Sequence, residues 1–493
     1  MASGRRWRAL MTFSPRQALA ELRLRRAAAL IRRSGLFDAA WYRGNYPDVA
    51  ASGFDPLRHY LRTGAAEGRD PGPRFVTRAY LDRNPDVARA GLNPLLHYLR
   101  HGAKEGRGAD AAELARARVR GAGLVPLRGF RAPSAGPSRV TLLTDSLGPE
   151  SLFGGVATAI LFATLLAERR GAALRIVTET RPPLPDAAAA VLRAHGIAPP
   201  ANIATEFADR RSGDARDIDI GDAEMFVTTA WWNTANLLQA VAPRRIVHML
   251  QEDERMFYPH GDLHLMCAEH LATPGLRFAV NTRLLCEHMQ QDGLAREAAW
   301  FEPAFPTASY HWQERAPDAR RRCIFYARPG HPRNLYLRGL EVISTAIERG
   351  VFDLDRWDIA FVGRDLNESR LPRGMQPTLH QGLSWSDYAA LMRQTDLGLC
   401  LMYTPHPSYP PLDLAACGGV AVTNRYGRKR ALDHYSANVI CADADVESLV
   451  AALADGVRLA EDDAARRRNY DAAGLNRDWQ AAFRPVLDRI AAG

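Results

Sequence analysis

The chain has 493 residues, of which 47% are hydrophobic, and this length suits about three domains of roughly 150 residues each. Its six cysteines include no C-x-x-C pair, so we expect reduced thiols rather than a zinc site or a secreted disulfide framework. A signal peptide and long apolar runs are both missing, which predicts a cytoplasmic protein. The formal charge of +9 is concentrated in residues 1–33, and the nearly balanced remainder argues against a nucleic-acid partner.

Residues 1–36 form a predicted basic amphipathic helix. Ser14 is a suitable cap and Pro15 a suitable first-turn residue, and the apolar residues that follow recur at helical spacing among arginines. Two interpretations are open. The helix could bind peripherally to the anionic cytoplasmic face of the inner membrane, or it could pack on the module that follows.

Residues 37–108 contain two copies of a 38-residue repeat, because segment 55–61 recurs in register as segment 93–99. Each copy predicts a pair of short helices, and such pairs bury their apolar stripes only by stacking on each other. His59 and His97 occupy equivalent positions. No second ligand lies at helical spacing from either, so we expect hydrogen-bonded packing residues rather than metal ligands.

A linker is predicted over residues 109–138, which are rich in Ala, Arg, Gly and Pro without apolar periodicity. Residues 139–303 then alternate apolar strands with helices, beginning with a buried strand at 139–145, and this alternation predicts a parallel, doubly wound sheet. Gly154 and Gly155 open the first helix of that domain. Paired glycines at such a turn let the backbone approach a phosphate or a sugar closely.

Two polar and aromatic clusters follow predicted strands of this first domain, where ligands of parallel sheets bind. Trp231 belongs to a tryptophan pair that suits the apolar face of a sugar ring, although interior packing explains it equally well. Asp253 and Glu254 belong to an acidic run and are candidates for binding an acceptor. The alternative is that they are simply solvated.

Residues 304–485 form a second predicted domain of the same αβ kind. Its most informative stretch is a Ser/Pro-rich loop that leads into a short helix. Ser408 and Tyr409 lie at the start of that helix, where unpaired N–H groups and partial positive charge attract an anion. Asp413 lies one turn further on and can accept hydrogen bonds from a ribose. Gly418 stops the helix before the next strand.

The stretch Leu412-Asp413-Leu414-Ala415-Ala416-Cys417-Gly418-Gly419-Val420-Ala421-Val422 resembles the P-x-L-E-A-M-A-C-G-x-P-V-V nucleotide-sugar signature of retaining glycosyltransferases of family 4. The likeness covers about residues 139–485 and is closest to bacterial rhamnosyltransferases that build surface glycans from dTDP-rhamnose. Two positions depart from the family pattern. Its second glutamate is Asp413 here, and its first acid falls on Pro405. The repeats resemble short helical repeats attached to bacterial polysaccharide glycosyltransferases.

The resemblance implies the GT-B form of the α/β class: two Rossmann-like, doubly wound domains facing a cleft, preceded here by a small all-α repeat module. The second domain would hold the nucleotide-sugar donor and the first domain the acceptor. Arg328 and Arg333 would be the catalytic basic pair that neutralises the leaving diphosphate. Gly382 and Leu383 would line the pocket for the base. The family needs no metal and no further cofactor.

The function implied is a glycosyltransferase of the hexosyltransferase type. It would move a sugar, L-rhamnose from dTDP-rhamnose above all, onto a glycan or lipid-linked oligosaccharide acceptor of a growing surface polysaccharide, with retention of the anomeric configuration. The alternative is a GT-B carbohydrate-binding or assembly protein that has lost catalysis, because Pro405 and Asp413 replace the usual glutamates.

Overall fold

The computed structural model describes residues 15–491, apart from 73–74, 76, 78–79, 82–83, 106–126, 132–137, 149–151, 153, 185, 210–216, 297, 317–318 and 368–369. The chain divides into two compact units, Met1–Leu124 and Val125–Gly493, which are described separately. Among the helices of the described residues, none is both long and apolar enough to cross a membrane.

The smaller unit is helical throughout its described part. Its helices are α1 (Pro15–Ser34), α2 (Ala39–Asn45), α3 (Pro47–Ser52), α4 (Pro56–His59), α5 (Pro85–Arg89) and α6 (Pro94–His97). Helices α4 and α6 each continue into a π-helical turn, Tyr60–Gly64 and Tyr98–Gly102. Proline is the first residue of helices α3 to α6, where its fixed φ suits the first turn and its missing N–H costs nothing.

Each of the two repeats contains an equivalent hydrogen bond between a tyrosine and a histidine. The hydroxyl of Tyr42 bonds Nδ1 of His59 at 3.1 Å, and the hydroxyl of Tyr80 bonds Nδ1 of His97 at 2.9 Å. Both tyrosines are fully buried in the core that the two copies form together. The histidines are therefore hydrogen-bonded packing residues, as the sequence predicted.

Helix α1 packs on the repeats, which was one of the two interpretations left open. Its apolar residues Ala28 and Ile31 are buried in the core of the repeats, and Glu21 forms an ion pair with Arg58. Its outer face carries exposed arginines: Arg23, Arg25, Arg26, Arg32 and Arg33. These apolar residues of α1 are thus buried within this unit, and its outer face carries mainly charged side chains.

The described residues of the first domain of the larger unit form nine strands and five α-helices. Its strands are β1 (Arg128–Arg131), β2 (Arg139–Thr144), β3 (Ala173–Thr178), β4 (Ile203–Phe207), β5 (Asp217–Ile220), β6 (Met225–Thr228), β7 (Ile246–Leu250), β8 (Arg277–Asn281) and β9 (Ala298–Phe301), and its helices are α7 (Gly155–Arg169), α8 (Ala187–Ala194), α9 (Trp231–Leu237), α10 (Asp262–Leu271) and α11 (Arg283–Gln291). Seven strands form one parallel sheet in the order β4-β3-β2-β6-β7-β8-β9. Strand β1 lies within the predicted linker and pairs in parallel with β5 in a separate ribbon.

The second domain repeats this plan with a smaller sheet. Its strands are β10 (Arg321–Ala327), β11 (Trp357–Gly363), β12 (Thr378–Gln381), β13 (Leu397–Leu399), β14 (Val420–Asn424) and β15 (Val439–Ala442), and its helices are α12 (Tyr336–Glu348), α13 (Trp385–Arg393), α14 (Tyr409–Ala416), α15 (Val446–Glu461), α16 (Asp463–Asp471) and α17 (Trp479–Ala491). The strand order is β12-β11-β10-β13-β14-β15, and every pair is parallel. The predicted pair of doubly wound sheets is confirmed.

The final helix returns to the first domain. Phe483 of α17 packs against Phe162 of α7 and Phe301 of β9, with ring centroids 5.3 and 4.7 Å apart. Burying these aromatic rings removes apolar surface from water and ties the end of the chain to the first core.

Candidate active site

A cavity of about 820 Å³ is bounded by residues from both domains, at the carboxyl ends of their parallel strands. The predicted site residues that line it are Gly154, Gly155, Glu254, Arg328, Arg333, Gly382, Leu383, Ser408, Tyr409 and Asp413. Trp231 and Asp253 are not among the lining residues. The fold thus brings the predicted donor residues of both domains to one place.

Arg328, Arg333 and Arg364 line the cavity from the second domain. Nη2 of Arg328 lies 2.7 Å from Nε2 of His331, and the guanidinium of Arg333 lies over the ring of Phe257 with 4.3 Å to the centroid. Within the described structure, the buried Nε atoms of Arg328 and Arg333 have no hydrogen-bond partner. Each of these cavity-lining arginines therefore has a buried N–H without a partner in the described structure.

The loop before α14 has its shape fixed by two buried side chains. Ser408 has a positive φ of 71°, which is strained for a residue other than glycine, and its backbone N–H donates to Nδ1 of His406 at 2.9 Å. Nζ of Lys429 donates to the carbonyls of Met402 and His406 at 2.6 and 3.4 Å. Burial lowers the pKa of Lys429 to about 8. The hydrogen bonds of His406 and Lys429 thus stabilise the strained start of the helix.

Asp413 occupies the first turns of α14 and is buried, with 4% of its surface exposed. Burial raises the pKa of its carboxyl to about 7, although the hydroxyl of Tyr388 donates to Oδ2 at 2.9 Å and opposes that shift. Gly382 and Leu383 line the same cavity together with Trp385. The second domain therefore offers an acidic group with apolar and aromatic surface, the combination that a nucleoside needs.

Tyr409 links the two domains across the cavity. Its hydroxyl bonds Oγ1 of Thr158 at 2.8 Å and accepts from Nδ2 of Asn281 at 2.9 Å, and both partners belong to the first domain. Gly154, with a φ of 72°, lies beside the tyrosine ring, and a Cβ added there would stand 4.0 Å from Cδ2. The predicted glycine turn thus meets the start of α14.

The predicted acceptor residues are mostly engaged elsewhere. Trp231 is buried, and its Nε1–H donates to the hydroxyl of Tyr258 at 3.0 Å. Asp253 is buried too, and its contacts with His288 at 3.3 Å and Arg255 at 2.7 Å lower the pKa of its carboxyl to about 2 against the opposing effect of burial. Glu254 does line the cavity, but its Oε2 accepts from the backbone N–H of Trp231 at 2.6 Å. These side chains shape the wall instead of facing a ligand.

On this side the cavity is lined by Asp145, by Trp232, the second member of the predicted tryptophan pair, and by Phe257. Trp232 donates from Nε1 to Oδ1 of Asp145 at 2.9 Å, and Asn233 donates to the same oxygen at 3.0 Å. The ring of Phe257 lies 6.3 Å from that of Trp232. An oriented carboxylate beside two aromatic rings is the pattern that a sugar binds, because a sugar offers hydroxyl edges and an apolar face.

Two further side chains on the first-domain wall carry open acceptor atoms. Gln251 donates from Nε2 to the carbonyl of Gly155 at 2.6 Å, and its buried Oε1 has no hydrogen-bond partner in the described structure. The buried Oε1 of Glu252 has none either. Burial raises the pKa of Glu252 to about 7, and the positive charge of Arg333 opposes the shift. Both lie directly after strand β7, in the same polar run as the predicted residues Asp253 and Glu254.

Two parallel, doubly wound sheets that meet at one such cavity are the arrangement of the GT-B fold. Residues 139–275 match the family model for the WsaF N-terminal domain, and residues 321–454 match that for the WsaF C-terminal domain. Together the two matches take in more than half of the chain. The chain therefore belongs to the WsaF-like glycosyltransferases.

Individual proteins are similar over much of the chain. It is 28% identical over 352 residues to the O-antigen biosynthesis protein RfbC of Myxococcus xanthus, which covers 69% of this chain and 26% of that protein. The chain thus spans about a quarter of the length of that relative. Among solved structures, Anabaena Alr3699/HepE in complex with UDP and glucose matches with a TM-score of 0.50 and 11% identity, over 72% of this chain and 99% of that one. At that identity the likeness concerns the fold.

Proposed function

We propose that the protein transfers a sugar from a nucleotide-sugar donor to a saccharide acceptor within this cavity. One observation carries the proposal: one wall has unpaired hydrogen-bond donors and the other wall has unpaired acceptors. The second domain presents donors on Arg328 and Arg333, and the first domain presents acceptors on Gln251 and Glu252. A diphosphate needs donors and a sugar hydroxyl needs an acceptor, so a nucleotide sugar and a glycan satisfy both walls.

The second domain would supply the electrostatic part of catalysis. When the bond between the sugar and the diphosphate breaks, negative charge grows on the departing oxygens, and fixed cations stabilise that charge in the transition state. Arg328 and Arg333 would do this together with the backbone N–H groups at the start of α14, near Ser408. Asp413 would accept from the ribose, and Gly382 and Leu383 would border the base.

The first domain would orient the acceptor. Trp232 and Phe257 present rings to the cavity, and Asp145, Gln251 and Glu252 add carboxylate or amide oxygens for hydroxyl groups. These residues take the place of Trp231 and Asp253 in the expected acceptor site. Positioning the attacking hydroxyl near the anomeric carbon contributes to rate by removing the entropy cost of the encounter.

The transfer step involves only the donor sugar, its phosphate and the acceptor hydroxyl. The bond from the anomeric carbon to the phosphate oxygen breaks, a bond from that carbon to the acceptor oxygen forms on the same face, and the hydroxyl proton passes to the departing phosphate. The configuration is retained, as in the family 4 enzymes that the sequence resembles. The arginines need not move a proton, because both remain charged throughout.

The expected donor is dTDP-rhamnose and the expected acceptor is a growing surface polysaccharide. The sequence signature at Asp413 resembles that of bacterial rhamnosyltransferases, and the relative from Myxococcus xanthus carries the name of an O-antigen biosynthesis protein. The Anabaena protein of similar fold was solved with UDP and glucose. These likenesses support a nucleotide-sugar donor. The exposed arginines of α1 would add weak electrostatic contact with an anionic membrane surface.

Incubating the protein with labelled dTDP-rhamnose, UDP-glucose and GDP-mannose and a rhamnosylated oligosaccharide tests the proposal. We expect label to move to the oligosaccharide from dTDP-rhamnose, with the anomeric configuration of the product given by NMR. Transfer from another donor would correct the sugar and keep the reaction. Tight nucleotide binding with no transfer to any acceptor would contradict the proposal and favour a binding protein.

A further inference from the structure

We infer that His406 donates a hydrogen bond from its Nε2–H to the diphosphate of the bound donor. The inference rests on the proposed function and adds to it a side chain outside the basic pair. His406 lines the cavity and precedes Ser408 by two residues, so it belongs to the loop that leads to the start of α14.

The proton of the ring is placed by its neighbours. The backbone N–H of Ser408 donates to Nδ1 of His406, so that nitrogen acts as the acceptor. A neutral imidazole carries one proton, which must then reside on Nε2. Burial, with the nearby charge of Lys429, lowers the pKa of His406 to about 3, so the ring is neutral at physiological pH. Nε2 is consequently a donor of fixed identity.

That donor lacks a partner. In the described structure the Nε2 atom of His406 is buried and forms no hydrogen bond, and the residue is 3% exposed. Buried polar groups in native proteins are almost always paired, so an unpaired N–H beside a cavity indicates a bond that a ligand completes. The open N–H groups of Arg328 and Arg333 belong to the same domain and line the same cavity. The diphosphate is the part of a nucleotide sugar richest in acceptors.

The ring is held in place before any ligand binds. Lys429 is fully buried and donates to the carbonyl of His406, and the ring of Tyr409 lies 6.0 Å from the imidazole, centroid to centroid. A donor that is already oriented loses little conformational entropy on binding. His406 is thus a binding residue of the same loop whose helix start receives the anion.

A pair of substitutions separates the two nitrogens. In His406→Asn, the amide oxygen can accept from Ser408 as Nδ1 does, but no donor remains at the position of Nε2. In His406→Gln, the amide nitrogen can reach that position. We expect His406→Asn to weaken dTDP binding in calorimetry about tenfold to hundredfold, the value of a hydrogen bond to a charged group, and His406→Gln to retain more affinity. Affinity for deoxythymidine, which has no phosphate, should not change.

His195 offers a matched control. It is also buried, its Nδ1 accepts from Nε1 of Trp479 at 3.2 Å, and burial lowers its pKa to about 4, but it is not among the cavity-lining residues. His195→Asn should therefore bind dTDP as the unchanged protein does. Melting temperatures of all three variants show whether the fold survives.

Each outcome decides something different. If the unchanged protein binds none of dTDP, UDP and GDP, the proposed function fails. If it binds dTDP and His406→Asn binds within twofold as tightly, the inference about His406 is overturned while the function stands. Equal losses in His406→Asn and His406→Gln, with a lowered melting temperature in both, would assign His406 to loop structure alone and also overturn it.

NMR spectroscopy can detect the hydrogen bond from His406 to the diphosphate directly. In protein labelled with ¹⁵N-histidine, the Nε2 proton signal that disappears in His406→Asn should move downfield when dTDP is added. The corresponding signal of His195 should move far less. No movement of the His406 signal at saturating dTDP would overturn the inference, whatever the affinities.

Discussion

The two walls of the cavity are built on similar sheets yet differ in polarity. The second-domain wall presents arginines and the N-terminus of α14, and the first-domain wall presents carboxylate and amide oxygens beside aromatic rings. The same parallel fold thus presents cationic N–H donors on one side and carboxylate and amide oxygens on the other. The difference arises from side chains at strand ends, which the fold leaves free to vary.

The largest expected effect comes from removing a cation from the second-domain wall. We expect Arg333→Ala to lower kcat for sugar transfer about 100-fold to 1,000-fold, the range seen when a single transition-state donor is lost. Arg349→Ala is the control, because Arg349 pairs with Glu447 at 2.6 Å and is not among the cavity-lining residues. An unchanged kcat in Arg333→Ala would contradict the electrostatic role assigned to the second-domain wall.

A second test uses the raised pKa of Asp413. Its carboxyl ionises near pH 7 in the folded chain and near its ordinary pKa of 3.8 in the unfolded chain. Between these values the folded protein holds a proton that the unfolded chain has lost, so stability falls as pH rises through that window. Asp413→Asn should therefore gain stability relative to the unchanged protein from pH 4 to pH 8, by a few kcal/mol in order of magnitude. Parallel melting curves across that range would contradict the buried, protonated state.

A substitution in the first-domain wall should weaken binding of the acceptor and leave binding of the nucleotide intact. Glu252→Ala removes an acceptor oxygen and a negative charge near Arg333. We expect the KM for the acceptor to rise about tenfold, as for one lost hydrogen bond, while dTDP affinity is unchanged or slightly tighter. Initial-rate kinetics and calorimetry separate the two quantities. Weaker dTDP binding with an unchanged KM would place Glu252 on the donor side instead.

The link between the walls should have a smaller effect. Tyr409→Phe removes the hydroxyl that bonds Thr158 and Asn281, and it leaves a buried amide donor unpaired. The expected loss of stability is about 1–3 kcal/mol, measured by denaturant unfolding. Thr164→Val is a control, since the Thr164 hydroxyl bonds a carbonyl within its own helix. Equal losses in both variants would argue against a bond specific to the domain contact.

The smallest effect on chemistry should follow from removing the helical repeats. A chain that begins at Val125 keeps strand β1 and its pairing with β5, whereas one that begins near Ser138 loses that strand. We expect the longer version to transfer sugar at the full rate to a soluble acceptor. A large fall in kcat with an intact melting transition would show that the repeats contribute to the reaction.

The sequence predicted the parts of the fold that follow from apolar patterning. Strand β2, Arg139–Thr144, matches the strand predicted at 139–145 to within one residue, because a short, mostly apolar run buried on both faces has few alternatives. Strand β4, Ile203–Phe207, was missed because it is an edge strand with exposed residues and no apolar run. Strand β1 was missed for a related reason, since its four residues resemble the linker around them.

The candidate site was predictable on one side of the cavity. The resemblance to family 4 glycosyltransferases drew attention to Arg328, Arg333 and Asp413, and all three line the cavity. Trp231 and Trp232 are adjacent, and only the rotation of α9, which begins at Trp231, decides which of them faces the ligand. Such rotations depend on tertiary packing and leave no mark on the local sequence.

The most direct test of the central claim is a crystal structure of the protein with dTDP bound. The account predicts that the diphosphate oxygens lie within hydrogen-bond distance of Arg328, Arg333 and the backbone N–H groups at the start of α14. A nucleotide bound elsewhere, or a diphosphate that neither guanidinium contacts, would contradict it.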